Sequence, residues 1–357
     1  RVAYFYERPD NSTFRYRVYN MIQALTCAGR DIAAAFFCLD DLPWTQEIAD
    51  SADRLVICRT RYDHRVGQLI NAFRSRRKTV LFDIDDLVFD TRYVDLILDT
   101  LDQDCQHPEA WDFWYACIGR LGGTLRLCDG AITTTPPLAE AIRRFASVPV
   151  AIVPNFLNHE QLAISEQVYA EKKASGFQRE GPVHLGYFSG TPTHRKDFGL
   201  IAPALATLLT ERPDVHLSLV GHLEVPQALV RHKARIHVHP FQDFVNLQRL
   251  IASVELNLVP LWMNVFTNAK SDLKYVDAAV VGTQTIATPT IPYRNALRQG
   301  ETGYLASAHQ WMDVMRHAIN ALEQYAPLAG RARDDVLARY TPEAQVPAIL
   351  SALGYSQ

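Results

Sequence analysis

The sequence contains no long apolar run and no pair of cysteines spaced to bind a metal. No hydrophobic stretch approaches the roughly 18 residues that a membrane-spanning helix requires. All six cysteines fall in the first half of the chain, and none forms a C-x-x-C pair. We therefore interpret them as core thiols of a protein in a reducing cytoplasm.

The chain also lacks a large excess of charge, an initiator methionine and a recognisable signal peptide. Its formal net charge is -3, which argues against non-specific binding to nucleic acid as the main activity. It begins with the strand-like RVAYFYE, so we expect a piece of a longer multidomain protein. Peripheral contact with the inner face of the membrane stays open as an alternative to a purely cytoplasmic location.

What the sequence does contain is a regular alternation of short apolar strands and helices. VAYFYE, DIAAAFFC, RLVIC, KTVLFD, GAITT and PVAIVP predict strands in the first half. VHLGYFSG, VHLSLVG, RIHVHP, ELNLVP and TQTIAT predict strands in the second. Continuous apolar strands between helices indicate parallel sheets that are covered on both faces.

The length of 357 residues favours two domains over one. We predict an α/β fold of two doubly wound, Rossmann-like domains that face each other across a cleft, since ligands bind beyond the carboxyl ends of such strands. The predicted boundaries are an N-terminal domain at 1–155, a charged linker at 156–181, a second domain at 182–340 and a C-terminal helix at 341–357. We expect that helix to pack back on the first domain.

The first candidate site is the loop in GYFSGTPTHRKDFGL, which joins a buried strand to a helix. Gly190 permits close approach of the backbone to a ligand. The helix that follows offers free N–H groups to an anion, and Arg195 and Lys196 add positive charge. This is the composition of a phosphate site, although the G-x-x-x-x-G-K-[ST] pattern is absent. A solvated basic loop is the alternative.

The second candidate site is NVFTNAKSDLKYVDAAVVG. Lys270 and Lys274 lie in the first turns of a predicted helix, where the helix dipole favours anions and not cations. Asp277 lies on the same helix face, where a carboxylate can accept hydrogen bonds from two ribose hydroxyls. An ordinary Lys–Asp pair on a wet face is the alternative. Two strand–basic loop–helix units in one domain weaken both of these alternatives and favour phosphate binding.

These stretches resemble the nucleotide-sugar domain of GT-B glycosyltransferases, and specifically the retaining glycosyltransferase family 4. The most diagnostic part is LVPLWMNVFTNAKSDLKYVDAAVVGTQTIATPTIPYRNALRQGETGYLA. There the family usually carries Glu, seven residues and then Glu-Ala. Here Asp277 and Ala278 occupy the second position and Ala269 the first, which favours a subgroup with KSxLKxxE. The resemblance covers most of the second half well and the first half loosely.

The resemblance implies a donor site. Arg195 or Lys196, together with Lys270 or Lys274, would hold the diphosphate, and Asp277 would bind the ribose. Backbone groups of residues 270–273 would meet the phosphates, and RIHVHP would flank the base. The complete predicted donor site is Gly190, Thr191, His194, Arg195, Lys196, Val238, His239, Lys270, Ser271, Asp272, Leu273, Lys274 and Asp277.

The acids of VLFDIDDLVFD form a third candidate site, because a buried strand delivers them at its carboxyl end. In the GT-B arrangement this end faces the acceptor. Asp-x-Asp is also how GT-A enzymes hold Mn²⁺ and how haloacid dehalogenase-type phosphatases hold Mg²⁺ and a nucleophile, although the phosphatases need this strand to be first. Helix capping is a further alternative.

In ERPDNSTFRYRVYNMIQAL, Arg15 and Arg17 lie where a predicted helix starts. Because cations are unfavourable at a helix start, these side chains could pair with the acids or bind the acceptor. A structural Arg–Asp pair stays equally open. The predicted acceptor site is Arg15, Arg17, Asp83, Asp85 and Asp86.

We predict a glycosyltransferase that moves a hexosyl or deoxyhexosyl group from a nucleotide-diphosphate donor to a glycan, lipid-linked or other hydroxyl acceptor, with retention. The expected setting is bacterial-type surface polysaccharide or glycoconjugate synthesis. We assign catalytic roles to Asp85, Lys196 and Lys270, and we expect no metal and no other cofactor. The alternatives are a non-catalytic GT-B module that binds a nucleotide or glycan, and a nucleotide-sugar 2-epimerase.

Overall fold

The computed structural model describes residues 1–9, 12–29, 31–103, 107–177, 181–190 and 195–355. Within these ranges the chain forms two six-stranded sheets in which every strand pair is parallel. The predicted α/β class with two Rossmann-like units is confirmed.

The first sheet has the strand order β2-β1-β3-β4-β5-β6. Its strands are β1 (Val2–Phe5), β2 (Ala34–Phe37), β3 (Arg54–Cys58), β4 (Thr79–Ile84), β5 (Gly130–Thr133) and β6 (Val150–Ile152). The second sheet has the order β12-β11-β10-β7-β8-β9. Its strands are β7 (Val183–Ser189), β8 (Val215–Gly221), β9 (Ile236–His239), β10 (Leu256–Val259), β11 (Gln284–Ala287) and β12 (Tyr304–Leu305).

Helices connect the strands and cover both faces of the sheets. Those of the first domain are α1 (Asn20–Cys27), α2 (Thr45–Ser51), α3 (His64–Ser75), α4 (Val94–Thr100), α5 (Pro108–Arg126) and α6 (Pro136–Ala146). The others are α7 (His159–Ala174), α8 (Arg195–Gly199), α9 (Ala202–Glu211), α10 (Phe244–Ala252), α11 (Val265–Ala269), α12 (Leu273–Val280), α13 (Ile291–Ala296), α14 (Trp311–Asn320), α15 (Tyr325–Arg339) and α16 (Pro342–Ala352). None of the helices in the described ranges is long and apolar enough to cross a membrane.

Buried apolar side chains form three clusters. One lies on one face of the first sheet and another on one face of the second, while the largest contains side chains of both domains. In that shared cluster Met21 and Leu25 of α1 pack with Ile349 and Leu350 of α16. The C-terminal helix therefore lies on the first domain and holds the two units together.

The segment that we interpreted as a linker is mostly helical. Asn158 begins α7 by accepting a hydrogen bond from the Gln161 backbone N–H at 2.8 Å, which satisfies one of the free donors at the helix start. The helix then packs against α10 of the second domain. Residues 159–174 are therefore part of a folded unit and not a free connection.

The cysteines are only partly core residues. The described ones are free thiols, and Cys58 and Cys128 are buried as predicted. Cys27 is exposed, so its interpretation as a core thiol is wrong. It lies in the last turn of α1, two residues beyond Leu25 and off the buried face that Met21 and Leu25 define. Cys105 lies outside the described residues.

Candidate active site

A cavity of about 670 Å³ lies between the carboxyl ends of the two sheets. In the second sheet it opens where β7 is flanked by β8 on one side and β10 on the other, which is the topological switch point where ligands of such sheets bind. Nine of the predicted site residues form part of its wall. They are Arg15, Asp85, Asp86, Gly190, Lys270, Ser271, Leu273, Lys274 and Asp277.

A glycine shapes the floor of this cavity. Gly221 ends β8 with φ +103°, and a Cβ there would lie 1.8 Å from the Ser189 carbonyl oxygen of β7. Only glycine adopts this backbone conformation without strain. It allows the ends of two neighbouring strands to approach closely where the ligand would lie.

Lys274 carries a buried cation in this wall. It lies in the first turn of α12, and its Nζ is shielded from solvent without a hydrogen-bond acceptor among the described residues. The ammonium lies 5.0 Å from the centre of the Tyr187 ring. Burial lowers the pKa of Lys274 to about 8, while Asp197 opposes this shift and Lys270 adds to it. An anion in the cavity would compensate this charge.

Arg15, from the first domain, is a second buried cation in the cavity wall. It begins a π-helical turn, Arg15–Tyr19, of a kind that is common at functional sites. Its guanidinium lies over the rings of Tyr16 and Phe244 at 4.3 Å and 4.6 Å, and Nη2 donates to the Tyr16 hydroxyl at 2.6 Å. Nε and Nη1 have no acceptor within the part of the chain that the structure describes. Two donors are thus available to a ligand.

Asp277 lies near Arg15 on the buried face of α12. Its Oδ1 accepts weak hydrogen bonds from Nε2 of Gln161 at 3.4 Å and Nε2 of Gln248 at 3.5 Å. Burial raises the pKa of Asp277 to about 6, although Arg15 and the two amides oppose the shift. A carboxylate with such weak partners can accept further hydrogen bonds from hydroxyl groups of a ligand.

The acids after β4 form a network of ion pairs with two cations in the cavity wall. Arg59 Nη1 lies 2.9 Å from Asp85 Oδ1 and 3.4 Å from Asp86 Oδ2, and Lys270 Nζ lies 3.7 Å from Asp86 Oδ1. Thr13 also donates to Asp85 at 3.1 Å. These contacts connect the first domain to the start of α12.

Sequence reasoning missed Arg59. It follows β3 directly with φ +40°, a conformation that non-glycine residues rarely adopt and that tends to occur at functional sites. Its position at the carboxyl end of a buried strand was a usable signal. Charged residues directly after β3, as after β4, lie at the sheet edge that faces the cleft.

The prediction that Arg17 and Asp83 contact the acceptor is wrong. Both side chains are fully buried, and Arg17 Nε and Nη2 donate to the two carboxylate oxygens of Asp83 at 2.8 Å and 2.9 Å. Arg17 Nη1 donates further to the Val153 carbonyl at 2.7 Å. The pair holds the turn Arg15–Tyr19 to β4 and to the residue after β6, so its role is structural.

Arg195 and Lys196, at the start of α8, do not form part of the cavity wall either. Lys196 Nζ donates to Asp99 Oδ1 at 2.6 Å, and Arg195 Nε lies 3.7 Å from Asp102 Oδ2. The structure therefore places both cations against α4 of the first domain and not at the donor, contrary to the prediction. Thr191 and His194, which were also predicted to bind the donor, lie outside the described residues.

Two further donor residues are misplaced in the prediction. Val238 and His239 end the edge strand β9, where Val238 is 54% exposed, and neither forms part of the cavity wall. Phe241 and Gln242, just beyond that strand, do. Asp272 precedes α12, and its buried carboxylate accepts a hydrogen bond from the Tyr340 hydroxyl at 2.5 Å. Its side chain therefore stabilises the start of α12 and does not form part of the cavity wall.

Comparisons with known proteins agree with this geometry. Residues 183–324 match the family model of glycosyl transferases group 1, and no curated protein matches the chain. HepE of Anabaena, solved with UDP and glucose, is 12% identical with a TM-score of 0.66, over 99% of each chain. Sucrose-phosphate synthase of Thermosynechococcus elongatus is 14% identical with a TM-score of 0.64, over 98% of this chain and 97% of that one.

A third similar structure is a glycosyltransferase of Rickettsia africae, 11% identical with a TM-score of 0.63, over 99% of this chain and 97% of that one. At such identities these likenesses define the fold. The chain therefore has the GT-B fold over its full length, as the resemblance implied. Residues 183–324 of its second domain are similar to glycosyl transferases group 1, and the narrower assignment to family 4 stays a prediction.

Proposed function

We propose that this protein transfers a hexosyl or deoxyhexosyl group from a nucleoside-diphosphate donor to a hydroxyl acceptor, with retention of configuration. The observation that carries the proposal is the pair of buried cations, Lys274 and Arg15. Lys274 Nζ and the Nε and Nη1 atoms of Arg15 lack acceptors within the described ranges. Both form part of the cavity wall. A diphosphate supplies the negative charge and the acceptor oxygens that these groups lack.

The start of α12 gives the donor its orientation. Lys270 and Lys274 compensate the diphosphate together with the free N–H groups of the helix start, and Asp277 accepts from the ribose hydroxyls. Phe241 and Gln242 replace RIHVHP as the groups that flank the base. The UDP and glucose that accompany HepE are ligands of this kind.

The same cations stabilise the leaving diphosphate as its charge develops, which is electrostatic catalysis. In a front-face reaction the bond from the anomeric carbon to the phosphate oxygen breaks, and a bond to the acceptor oxygen forms on the same side. The acceptor proton passes to the leaving phosphate oxygen. Asp85 lies on the wall opposite α12 and would orient the acceptor hydroxyl.

The acceptor enters from the first domain and is a glycan, a lipid-linked sugar or another hydroxyl compound. Cytoplasmic synthesis of surface polysaccharide or another glycoconjugate is the proposed setting. We also propose that transfer in the cleft needs no metal. Of the three candidate acids, Asp83 is neutralised by Arg17, and the other two face the cations Arg59 and Lys270, which disfavour a divalent ion there.

The test is a screen of UDP-, GDP- and dTDP-sugars for binding by calorimetry and for slow hydrolysis by the purified chain. We expect one nucleotide class to bind, and its sugar donor to be hydrolysed in the presence of EDTA. Binding without hydrolysis or transfer would indicate a non-catalytic module. Loss of activity in EDTA that Mn²⁺ restores would contradict the metal-independent route.

A further inference from the structure

Three histidines lie side by side at the start of the second sheet. His184, His216 and His237 are the second residues of β7, β8 and β9, which are neighbours in the sheet. His184 pairs directly with His216, and His237 pairs with Ser218, two residues beyond His216 on the same face. The sheet therefore places all three side chains on one face.

Their rings converge more than the sheet alone requires. Strands lie roughly 5 Å apart, so β7 and β9 are separated by about 10 Å, yet the ring centres of His184 and His237 are only 5.9 Å apart. The other two pairs of ring centres are each 5.3 Å apart. The outer imidazoles lean over the central one and form a nearly equilateral triangle.

The nitrogen atoms have the spacing of a metal site. Each histidine offers one ring nitrogen such that all three lie within 4.8 Å of one another, and His216 Nδ1 is 3.0 Å from His237 Nε2. Ligands at about 2.0 Å from a tetrahedral Zn²⁺ are about 3.3 Å apart. Small rotations of the side chains would bring three nitrogens to this distance.

We propose that His184, His216 and His237 bind one divalent cation of the Zn²⁺ type, with water as the fourth ligand. A set of three imidazoles suits Zn²⁺, Cu²⁺ or Ni²⁺ and does not suit Mg²⁺ or Ca²⁺, which prefer oxygen. His184 and His216 are half-buried and His237 is exposed, so a cation and its water can enter from solvent.

This site is separate from the proposed reaction. The histidines lie at the amino ends of the strands, and the cavity lies at the carboxyl ends. In β7 the five steps from His184 to Ser189 span about 17 Å. β9 is the edge strand of the sheet and pairs with β8 alone among the described strands. The cation would tie this edge strand to β8 and to β7 beyond it, so its role is structural.

The experiment uses the whole chain without a polyhistidine tag, freed of metal by dialysis against a chelator. Zn²⁺ is titrated in competition with a chromophoric chelator, and Co²⁺ is used as a spectroscopic probe of coordination. His216→Gln and His237→Gln are compared with His309→Gln, which removes an exposed histidine elsewhere on the domain.

We expect one equivalent of Zn²⁺ per chain in the wild type and in the His309 variant, and affinity at least about a hundredfold lower in the other two. Saturating Zn²⁺ should raise the Tm of the wild type by roughly 5 °C but not that of His237→Gln. Affinity for nucleoside diphosphates should be the same with and without Zn²⁺. Failure of the wild type to bind Zn²⁺, or unchanged affinity in both variants, would overturn the proposal.

Discussion

Replacement of Lys274 by Met should stabilise the empty protein and weaken its binding of nucleoside diphosphates. Methionine has a similar length and no charge, so it removes the unpaired ammonium and keeps the contact with Tyr187. The pKa of Lys274 falls from 10.5 to about 8 on burial. Because one pH unit corresponds to about 1.4 kcal/mol, protonated Lys274 destabilises the folded state by about 3 kcal/mol.

The sign of the pH dependence follows from this shift. Below pH 8 both the folded and the unfolded chain carry the proton, so the destabilisation is fully present. Between pH 8 and pH 10.5 the folded chain loses the proton first, and the destabilisation is relieved as the pH rises. The stability gained by Lys274→Met should therefore be largest near pH 7, where up to about 3 kcal/mol is expected, and should shrink above pH 8.

A bound diphosphate should reverse the effect, because it favours the protonated amine. At pH 8 about half of the Lys274 amines carry a proton, so UDP, or whichever diphosphate the screen identifies, should bind with uptake of about half a proton. Calorimetry in buffers of different ionisation enthalpy measures this uptake, which should vanish in Lys274→Met. Affinity should fall about 10- to 100-fold, as expected for a charge-assisted hydrogen bond.

Lys172 supplies the matched control. Its ammonium is also partly buried, but it donates to Tyr325 Oη at 2.8 Å, Thr283 Oγ1 at 3.0 Å and the Val254 carbonyl at 3.3 Å. Lys172→Met should therefore destabilise the protein and leave nucleotide affinity unchanged. Loss of stability in Lys274→Met, or unchanged diphosphate affinity in that variant, would refute the argument that Lys274 is an unpaired buried cation that a bound diphosphate neutralises.

Three further outcomes test the rest of the cleft. The pKa of Asp277 is about 6, so donor affinity should fall as the pH drops through 6, and Asp277→Asn should bind more weakly without this dependence in a pH series. Lys270→Ala should weaken diphosphate binding by about 1.5–3 kcal/mol and nucleoside binding hardly at all; equal losses in calorimetry would place Lys270 away from the phosphates. Asp85→Asn should lower transfer to the acceptor about 10²-fold with unchanged nucleotide affinity, whereas a lower Tm with normal turnover would make Asp85 structural.

The sequence predicted the sheets well, because buried parallel strands leave an uninterrupted apolar signal such as RLVIC. It also located Lys274 and Asp277, because helical spacing places them on one short helix, α12. In each case residues near in sequence carry the signal. Local pattern is then enough to place them. Lys270 was predicted in the same helix, but it follows α11 in an extended conformation and precedes α12.

The errors at charged residues share a physical origin. A sequence shows which side chains are charged, but it does not show which distant residue neutralises each of them. Arg17 and Asp83 look like site residues, but they are 66 positions apart and neutralise each other in the core. Lys196 finds Asp99 on the other domain. The three histidines of β7, β8 and β9 are 32 and 21 residues apart, so only the strand order reveals that they converge.

The return of α16 to the first domain limits how the cleft can close. The chain passes between the domains twice, near Leu157 and again near Tyr340, and the Leu157 N–H donates to the Tyr340 carbonyl at 3.0 Å. Two crossings bound to each other act as one hinge, so the domains can bend about a single axis and can hardly slide apart. Closure on a nucleotide would then be a rotation about that one axis. Small-angle scattering should show a smaller radius of gyration with the diphosphate than without it, at constant mass.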